Sequence, residues 1–216
     1  MTVQDPTTLR IGTNPSTLLR SILATLRGLY TKGSTFSEPL LALGMGRLRL
    51  ISTATASNDA TVDFTLDGNH DRYLLSGVAV VPATDAVDAW ARVSIAGTYQ
   101  TANYRWARFN SYDTPSDATL GSTSDAKITI HTGIGSAAGE CIEFLLWIGG
   151  PSNTALHKHV FGTFAADDQS GAQGGGFFTG SYRGATSAID GIRFMFSSGN
   201  VESGEFSLYG LGNVTS

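Results

Sequence analysis

The sequence predicts an all-β protein, an antiparallel two-sheet sandwich of jelly-roll kind, preceded by a short N-terminal helix and a linker. After Arg47, apolar residues form about eleven short runs at spacings of roughly 10 to 15 residues, with no helical period between them. Composition agrees, because 26 glycines and a charged fraction of 15 % suit short strands joined by tight turns. A parallel βαβ arrangement is disfavoured, since its crossovers would need helices.

The predicted helix covers about residues 15 to 30. Its apolar residues recur at spacings of 3, 4 and 3, which is a heptad pattern, at Leu19, Ile22, Leu26 and Leu29. Arg20 and Arg27 lie one heptad apart on another face. Two heptads are too few to fold alone in water, so this helix must pack on its own body, on copies of itself or on another protein.

A glycine-containing linker from Thr31 to Gly46 separates the helix from the first strand. The sequence therefore predicts an N-terminal attachment arm, residues 1–46, and a β-sandwich domain, residues 47–216. Up to Thr35 the chain has four basic residues and one acidic residue, a net charge of +3, whereas the remainder has a net charge of −7. A basic arm on an acidic body favours docking on an acidic protein surface over binding to nucleic acid.

The strand signals follow in chain order. The turn residues at 68–71, Gly97 and 197–200 separate some of them. The run 73–81 is apolar on both faces, as expected of a central strand with cover on each side. Residues 110–125 are predicted as a loop. The predicted strands begin at Arg47 and continue with 62–66, 73–81, 87–95, 99–109, 127–132, 141–148, 156–164, 177–182, 189–196 and 205–211.

Catalytic signatures are missing from the sequence. Sandwich glycosidases need two carboxylates on one strand face, but Glu140 and Glu143 are an odd number of residues apart, as are Glu202 and Glu205. The G-x-S-x-G, P-loop and H-E-x-x-H patterns are absent. The lone Cys141 permits no disulfide within the chain. We therefore expect a protein that is not an enzyme and that carries no cofactor.

His157 and His159 are two residues apart on a predicted strand, so their side chains would project from one face about 7 Å apart. That spacing can supply two ligands to a metal ion. Because no second His or Cys pair accompanies them, a polar strip on the surface is the favoured interpretation, and no metal site is predicted.

Aromatic residues interleave with polar ones on two consecutive predicted strands and at the start of the following loop. Sugars stack on exposed rings and are oriented by polar side chains, so this pattern is compatible with a glycan platform. Aromatic residues of sandwiches more often lie in the core or at subunit contacts. The candidate ligand or subunit contact consists of Trp90, Arg92, Tyr104, Trp106 and Tyr112.

Two segments carry a resemblance to a known family. Residues 188–213 contain an I-R-F run, an S-S-G-N turn and an S-L-Y-G ending. Near the other end, a D-R-Y run is followed by a P-x-T-D turn and an A-R-V-S strand. Together they resemble β-sandwich proteins of tailed bacteriophage virions, found in fibres, spikes and head appendages. The resemblance covers about residues 59–213, and its motifs are strand and turn residues that transfer no binding site.

The resemblance implies a virion structural protein, most simply a short tail fibre or appendage attached through its N-terminus. Such appendages are commonly homotrimers, which implies copies of itself and another virion protein at the arm as partners, and host surface glycan as a further contact. A capsid decoration or cement protein and a free carbohydrate-binding module are the alternatives. The longest apolar run, 142–148, is far shorter than the roughly 20 residues of a membrane span. We expect assembly into the virion in the host cytoplasm.

Overall fold

The computed structural model describes residues 48–114 and 117–212, which are all-β and contain no helix. The predicted N-terminal helix and its residues Leu19, Arg20, Ile22, Leu26, Arg27 and Leu29 lie outside the described residues. Within the described ranges the chain forms thirteen strands: β1 (Arg49–Asp59), β2 (Val62–Thr65), β3 (Arg72–Pro82), β4 (Val87–Ile95), β5 (Thr98–Tyr99), β6 (Tyr104–Tyr112), β7 (Ala118–Asp125), β8 (Ile128–Ile134), β9 (Ile142–Gly149), β10 (Lys158–Asp167), β11 (Gln173–Tyr182), β12 (Gly191–Phe196) and β13 (Val201–Leu211).

The strands form two antiparallel sheets. The larger sheet has eight strands in the order β1-β13-β3-β9-β10-β11-β6-β7. The smaller sheet has the order β2-β12-β4-β5, and β8 pairs with the first part of β4. Strands of both sheets alternate buried and exposed residues, as β10 does along most of its length. This period of two places one face of each sheet in a shared core.

The core between the sheets is rich in aromatic rings. Phe144 of the larger sheet stacks on Phe194 of the smaller sheet, with ring centroids 5.0 Å apart. Phe206 packs against both rings, at 6.2 Å from Phe144 and 5.3 Å from Phe194. All three side chains are buried. Burying a phenylalanine stabilises a fold by roughly 1.5–3 kcal/mol, so this cluster is a main source of cohesion between the sheets.

Two distant parts of the chain form one paired ribbon that passes from the larger sheet to the smaller one. β3 pairs with β13 in the larger sheet, and β4 pairs with β12 in the smaller sheet. The turns that connect them are also joined, because the Ala83 N–H donates to the Asn200 carbonyl oxygen at 2.9 Å. The Asp88 N–H donates to the Ser197 hydroxyl at 3.0 Å. The ribbon therefore continues unbroken around the corner.

The structure corrects the predicted strands in two places. Residues 118–125, predicted as part of a loop, form β7, which pairs with β6 at one edge of the larger sheet. At the other edge, β1 continues to Asp59, well beyond the short run predicted at Arg47. Both are edge strands whose side chains are largely exposed. Edge strands need no buried face, so the apolar alternation used for the prediction is weak there.

Candidate functional site

The outer face of the smaller sheet carries two of the residues predicted for a contact site. Trp90 and Arg92 lie on β4, where they alternate with buried residues of the core. The Lys127 ammonium lies 4.6 Å from the centre of the Trp90 ring, and Nε of Arg92 donates to the Ala126 carbonyl oxygen at 3.0 Å. Both predicted side chains are half-buried, so part of each can contact a partner.

Tyr104, Trp106 and Tyr112, the other three predicted contact residues, point inward from β6. Tyr104 is fully buried. Its hydroxyl oxygen accepts the Val93 N–H at 2.9 Å and donates to the Gln100 carbonyl oxygen at 3.2 Å. Of the two interpretations left open, core residue or exposed platform, Tyr104 has the first, and the more polar side of β6 is its inner one. The five residues do not form one surface, and a role in ligand or subunit contact stays a prediction for the half-buried ones.

Three of the predicted residues, Trp90, Arg92 and Trp106, contact one turn, residues 125–127 between β7 and β8. We call this turn the Asp125 corner. Nε1 of Trp106 donates to Oδ2 of Asp125 at 2.8 Å, and the Lys127 ammonium donates to Oδ1 at 2.8 Å. Burial opposes ionisation of this carboxyl, but hydrogen bonds from Lys127 and Trp106 outweigh it and lower the pKa of Asp125. Together with the contacts of Trp90 and Arg92, the corner ties the two sheets together.

A cluster of polar side chains is buried between the sheets. Nη1 of Arg108 donates to Nδ1 of His131 at 2.9 Å, and Nη2 donates to the Thr132 hydroxyl at 2.5 Å. Burial and the charge of Arg108 lower the pKa of His131 to about 3, so the imidazole is neutral and Nδ1 accepts. Arg108 Nε and both amide atoms of Asn110 are buried without a protein partner in the described part of the chain.

The outer face of the larger sheet exposes large apolar side chains over several neighbouring strands, and we call it the outer apolar face. Phe177 is 57 % exposed, Phe161 46 % and Leu145 44 %. The rings of Phe109 and Phe177 stack across β6 and β11, with centroids 5.6 Å apart. Contiguous apolar surface of this kind marks an interaction site more often than scattered apolar residues do. Its exposed or half-buried members are Leu50, Val78, Ala107, Phe109, Leu145, Trp147, Phe161, Ala165, Phe177 and Tyr209, and Leu74 lies on the same side of β3 but is buried.

The outer apolar face corresponds to a pattern in the sequence, strands with apolar residues on both sides. The run 73–81 was predicted to be covered on both sides because it is apolar on both. In the structure its inner side packs in the core, whereas Val78 on its outer side is 46 % exposed. β9 and β10 share the double pattern, with Leu145 and Phe161 on the outer side. The outer side of these three strands is therefore apolar, and it is largely exposed except at Leu74.

The two neighbouring histidines flank a buried lysine. His159 is exposed at the start of β10, and His157 is half-buried just before it. Lys158 between them is almost fully buried, and its ammonium donates to the carbonyl oxygens of Asn153, Leu156 and Thr186. Within residues 48–114 and 117–212, no three His, Cys, Asp or Glu side chains are grouped so that they could hold a metal ion. The hydrogen bonds of Lys158 therefore hold the loop before β10 to the loop that contains Thr186.

Several carboxylates of the described chain hold turns. Glu140 accepts the Ala137 N–H at 2.7 Å. Asp168 accepts the N–H and hydroxyl of Ser170 at 2.8 and 2.6 Å, and these hydrogen bonds lower the pKa of Asp168. These groups cap loops between strands.

The sequence matches no protein-family model, and the search of curated proteins finds no match either. Within the described part of the chain there is no helix with the length and apolar character that crossing a membrane requires.

Proposed function

We propose that this protein is a structural component of a tailed bacteriophage virion, a short tail fibre or appendage attached through its N-terminal arm. The observation that carries the proposal is the paired ribbon. The two segments that resemble virion sandwich proteins lie at opposite ends of the domain in sequence, yet they form β3–β4 and β12–β13, which pair along both sheets. Their resemblance therefore covers one contiguous structural unit, which supports a shared origin over chance similarity of isolated strands.

We also propose that the two-sheet sandwich is a jelly roll. A jelly roll is built by folding an antiparallel ribbon over so that its two halves lie in facing sheets. The ribbon formed by β3–β4 and β12–β13 has this form, since its turns are hydrogen-bonded through Ala83 and Asn200 at the point where it changes sheet. A jelly-roll sandwich of this size is suited to an exposed knob on a particle.

The chemistry of the described residues supports binding in preference to catalysis. The imidazole of His131 is neutral and fully buried, so it has no access to a substrate. Glu140 and Asp168 are occupied as turn caps. By contrast, the exposed side chains of the outer apolar face and the half-buried Trp90 ring are suited to protein or glycan contact. We propose that the chain acts through such contacts.

Electron microscopy of purified particles tests this proposal. An antibody raised against the folded protein should label the tail or an appendage of virions whose genome encodes this chain. Label spread over the capsid would favour a decoration or cement protein. Particles free of the protein, together with retention of the purified chain on a polysaccharide column, would favour a free carbohydrate-binding module and overturn the virion assignment.

The attachment role of the arm has its own test. Arg20→Glu combined with Arg27→Glu should slow incorporation into particles while folding is unchanged, because charges on an exposed helix rim contribute little to stability. The matched control is Arg49→Glu with Arg183→Glu, two exposed arginines of the sandwich. Equal incorporation of both double variants would exclude electrostatic docking of the arm.

A further inference from the structure

The strand register arranges the outer apolar face in cross-strand rows. One central row pairs residues of β3, β9, β10, β11 and β6 in the order Ser76, Leu145, Thr163, Phe177 and Phe109. The next row along the same strands has the order Leu74, Trp147, Phe161, Thr179 and Ala107. On four of the five strands, one of the two rows carries a large apolar side chain and the other carries Ser, Thr or Ala.

Charges lie at opposite ends of this face. At one end Glu143 and Glu205 project from β9 and β13, on either side of Val78 of β3. At the other end Arg72 of β3 and Arg105 of β6 project from the row that contains His159. The two central rows between these ends contain no charged residue on the five strands.

We propose that two copies of the chain pair face to face through this surface, about a two-fold axis. The axis lies in the plane of the interface, between the two central rows, and runs perpendicular to the strands. Such an axis places each strand over the same strand of the partner with its direction reversed. A contact of this kind requires one surface to be complementary to itself. The pairing goes beyond the proposed virion role and does not depend on it.

The sizes of the side chains make this face complementary to itself. The axis brings Phe161 of one copy over Thr163 of the other, and Phe177 over Thr179 in the same way. Phe109 lies over Ala107. On β10, β11 and β6 large side chains thus meet small ones, whereas on β9 Leu145 meets Trp147; the first three allow the interdigitation seen where two sheets pack about 10 Å apart.

The charges at the ends of the face are complementary about the same axis. Because the strands of the two copies run in opposite directions, Arg72 of one copy lies over Val78 of the other. There it is between Glu143 and Glu205 of that second copy. Each copy supplies one such contact, so two equivalent ionic contacts close the ends of the interface. An axis parallel to the strands would instead bring the acidic ends together, and like charges placed opposite each other disfavour that arrangement.

The size of the face is sufficient for a stable pair. In sheet order, seven strands lie between β1 and β6 inclusive, and the rows from Arg72 to Val78 are separated by three spacings. From standard strand and residue spacings this area is roughly 34 Å by 20 Å, or about 700 Å². Specific protein interfaces bury about 800 Å² per partner. The apolar centre with charges at its rim is the usual anatomy of such an interface.

Sedimentation equilibrium of the full-length chain tests the pairing. Phe161→Lys places a charge at the centre of the contact and should raise the dissociation constant between copies at least tenfold, because central rings dominate interface affinity. Leu120→Lys is the matched control, since Leu120 is as exposed as Phe161, at 46 %, but pairs with the inward-facing Arg108 on the opposite side of the larger sheet. This control should associate as the wild type does, and thermal unfolding should show both variants folded.

Charge reversal supplies a second, independent readout. Arg72→Glu should weaken association, and adding Glu143→Arg and Glu205→Arg to it should restore the wild-type dissociation constant. A purely structural role of Arg72 would not be rescued by changes on the partner's strands.

Three outcomes overturn the pairing. The first is self-association, for example as a trimer, that Phe161→Lys leaves unchanged. The second is a monomeric wild type in which Phe161→Lys only accelerates proteolysis within residues 1–46, which would assign the face to the chain's own N-terminal segment. The third is a monomeric wild type in which Phe161→Lys abolishes binding to another virion protein.

Discussion

The guanidinium of Arg108 lies 2.9 Å from Nδ1 of His131, and both side chains are buried between the two sheets. The contact joins β6 of the larger sheet to β8 of the smaller one. Because an arginine remains charged, its partner must be the neutral, accepting form of the imidazole. The pair is thus a polar contact across the core that depends on the protonation state of one residue.

Stability should fall as pH falls below about 6.5, because of His131. Its folded pKa of about 3 is lower than the ordinary value of 6.5, so the unfolded chain binds a proton that the folded chain does not. The stability is fully present above pH 6.5 and should decrease by about 1.4 kcal/mol per pH unit between there and the folded pKa. Urea unfolding at pH 7.5, 6.0 and 5.0 measures the effect.

The matched variant is His131→Asn, whose amide oxygen can accept from Arg108 but does not titrate. Its free energy of unfolding should depend less steeply on pH than that of the wild type. Equal slopes for the wild type and His131→Asn would show that His131 is not the titrating group.

Sequence patterns predicted the all-β class and most of the central strands, because their side chains alternate between core and solvent with a period of two. The patterns failed for β7, whose edge position removes the need for a buried face. For β6 they predicted a strand but left open which side is buried, and the buried side carries Arg108 and Asn110. No local pattern shows that β8 will supply partners such as His131 to that side.

Trp106→Phe should destabilise the protein more than Trp90→Phe. Both indoles are half-buried, but Nε1 of Trp106 donates to Asp125 at 2.8 Å, whereas Nε1 of Trp90 is buried without a partner in the described residues. Losing a hydrogen bond to a carboxylate costs about 1.5–3 kcal/mol, while losing an unpaired N–H relieves a desolvation cost. Chemical unfolding of the two variants gives the comparison, and a larger loss for Trp90→Phe would contradict the assigned role of the Asp125 corner.

Gly180→Ala should destabilise the sandwich by about 1–3 kcal/mol, the usual cost of an added methyl group in a packed core. A Cβ at Gly180 of β11 would lie 2.7 Å from Cγ1 of Ile128, so the absence of a side chain lets β8 approach the larger sheet. Gly149→Ala is the control, since no atom lies within 4 Å of its added Cβ. Similar melting temperatures for the two variants would show that β8 can move away without loss.

Lys158→Met should destabilise the protein by roughly 2–3 kcal/mol and loosen the loop before β10. The ammonium of Lys158 donates to the carbonyl oxygens of Asn153, Leu156 and Thr186, and methionine of similar length would leave these acceptors unpaired in a buried site. Amide hydrogen exchange in residues 150–157 should accelerate in this variant, because its three anchoring bonds are gone. The neighbouring exposed His159→Met should change neither the free energy of unfolding nor the exchange. Unchanged exchange in Lys158→Met would show that backbone contacts alone hold the loop.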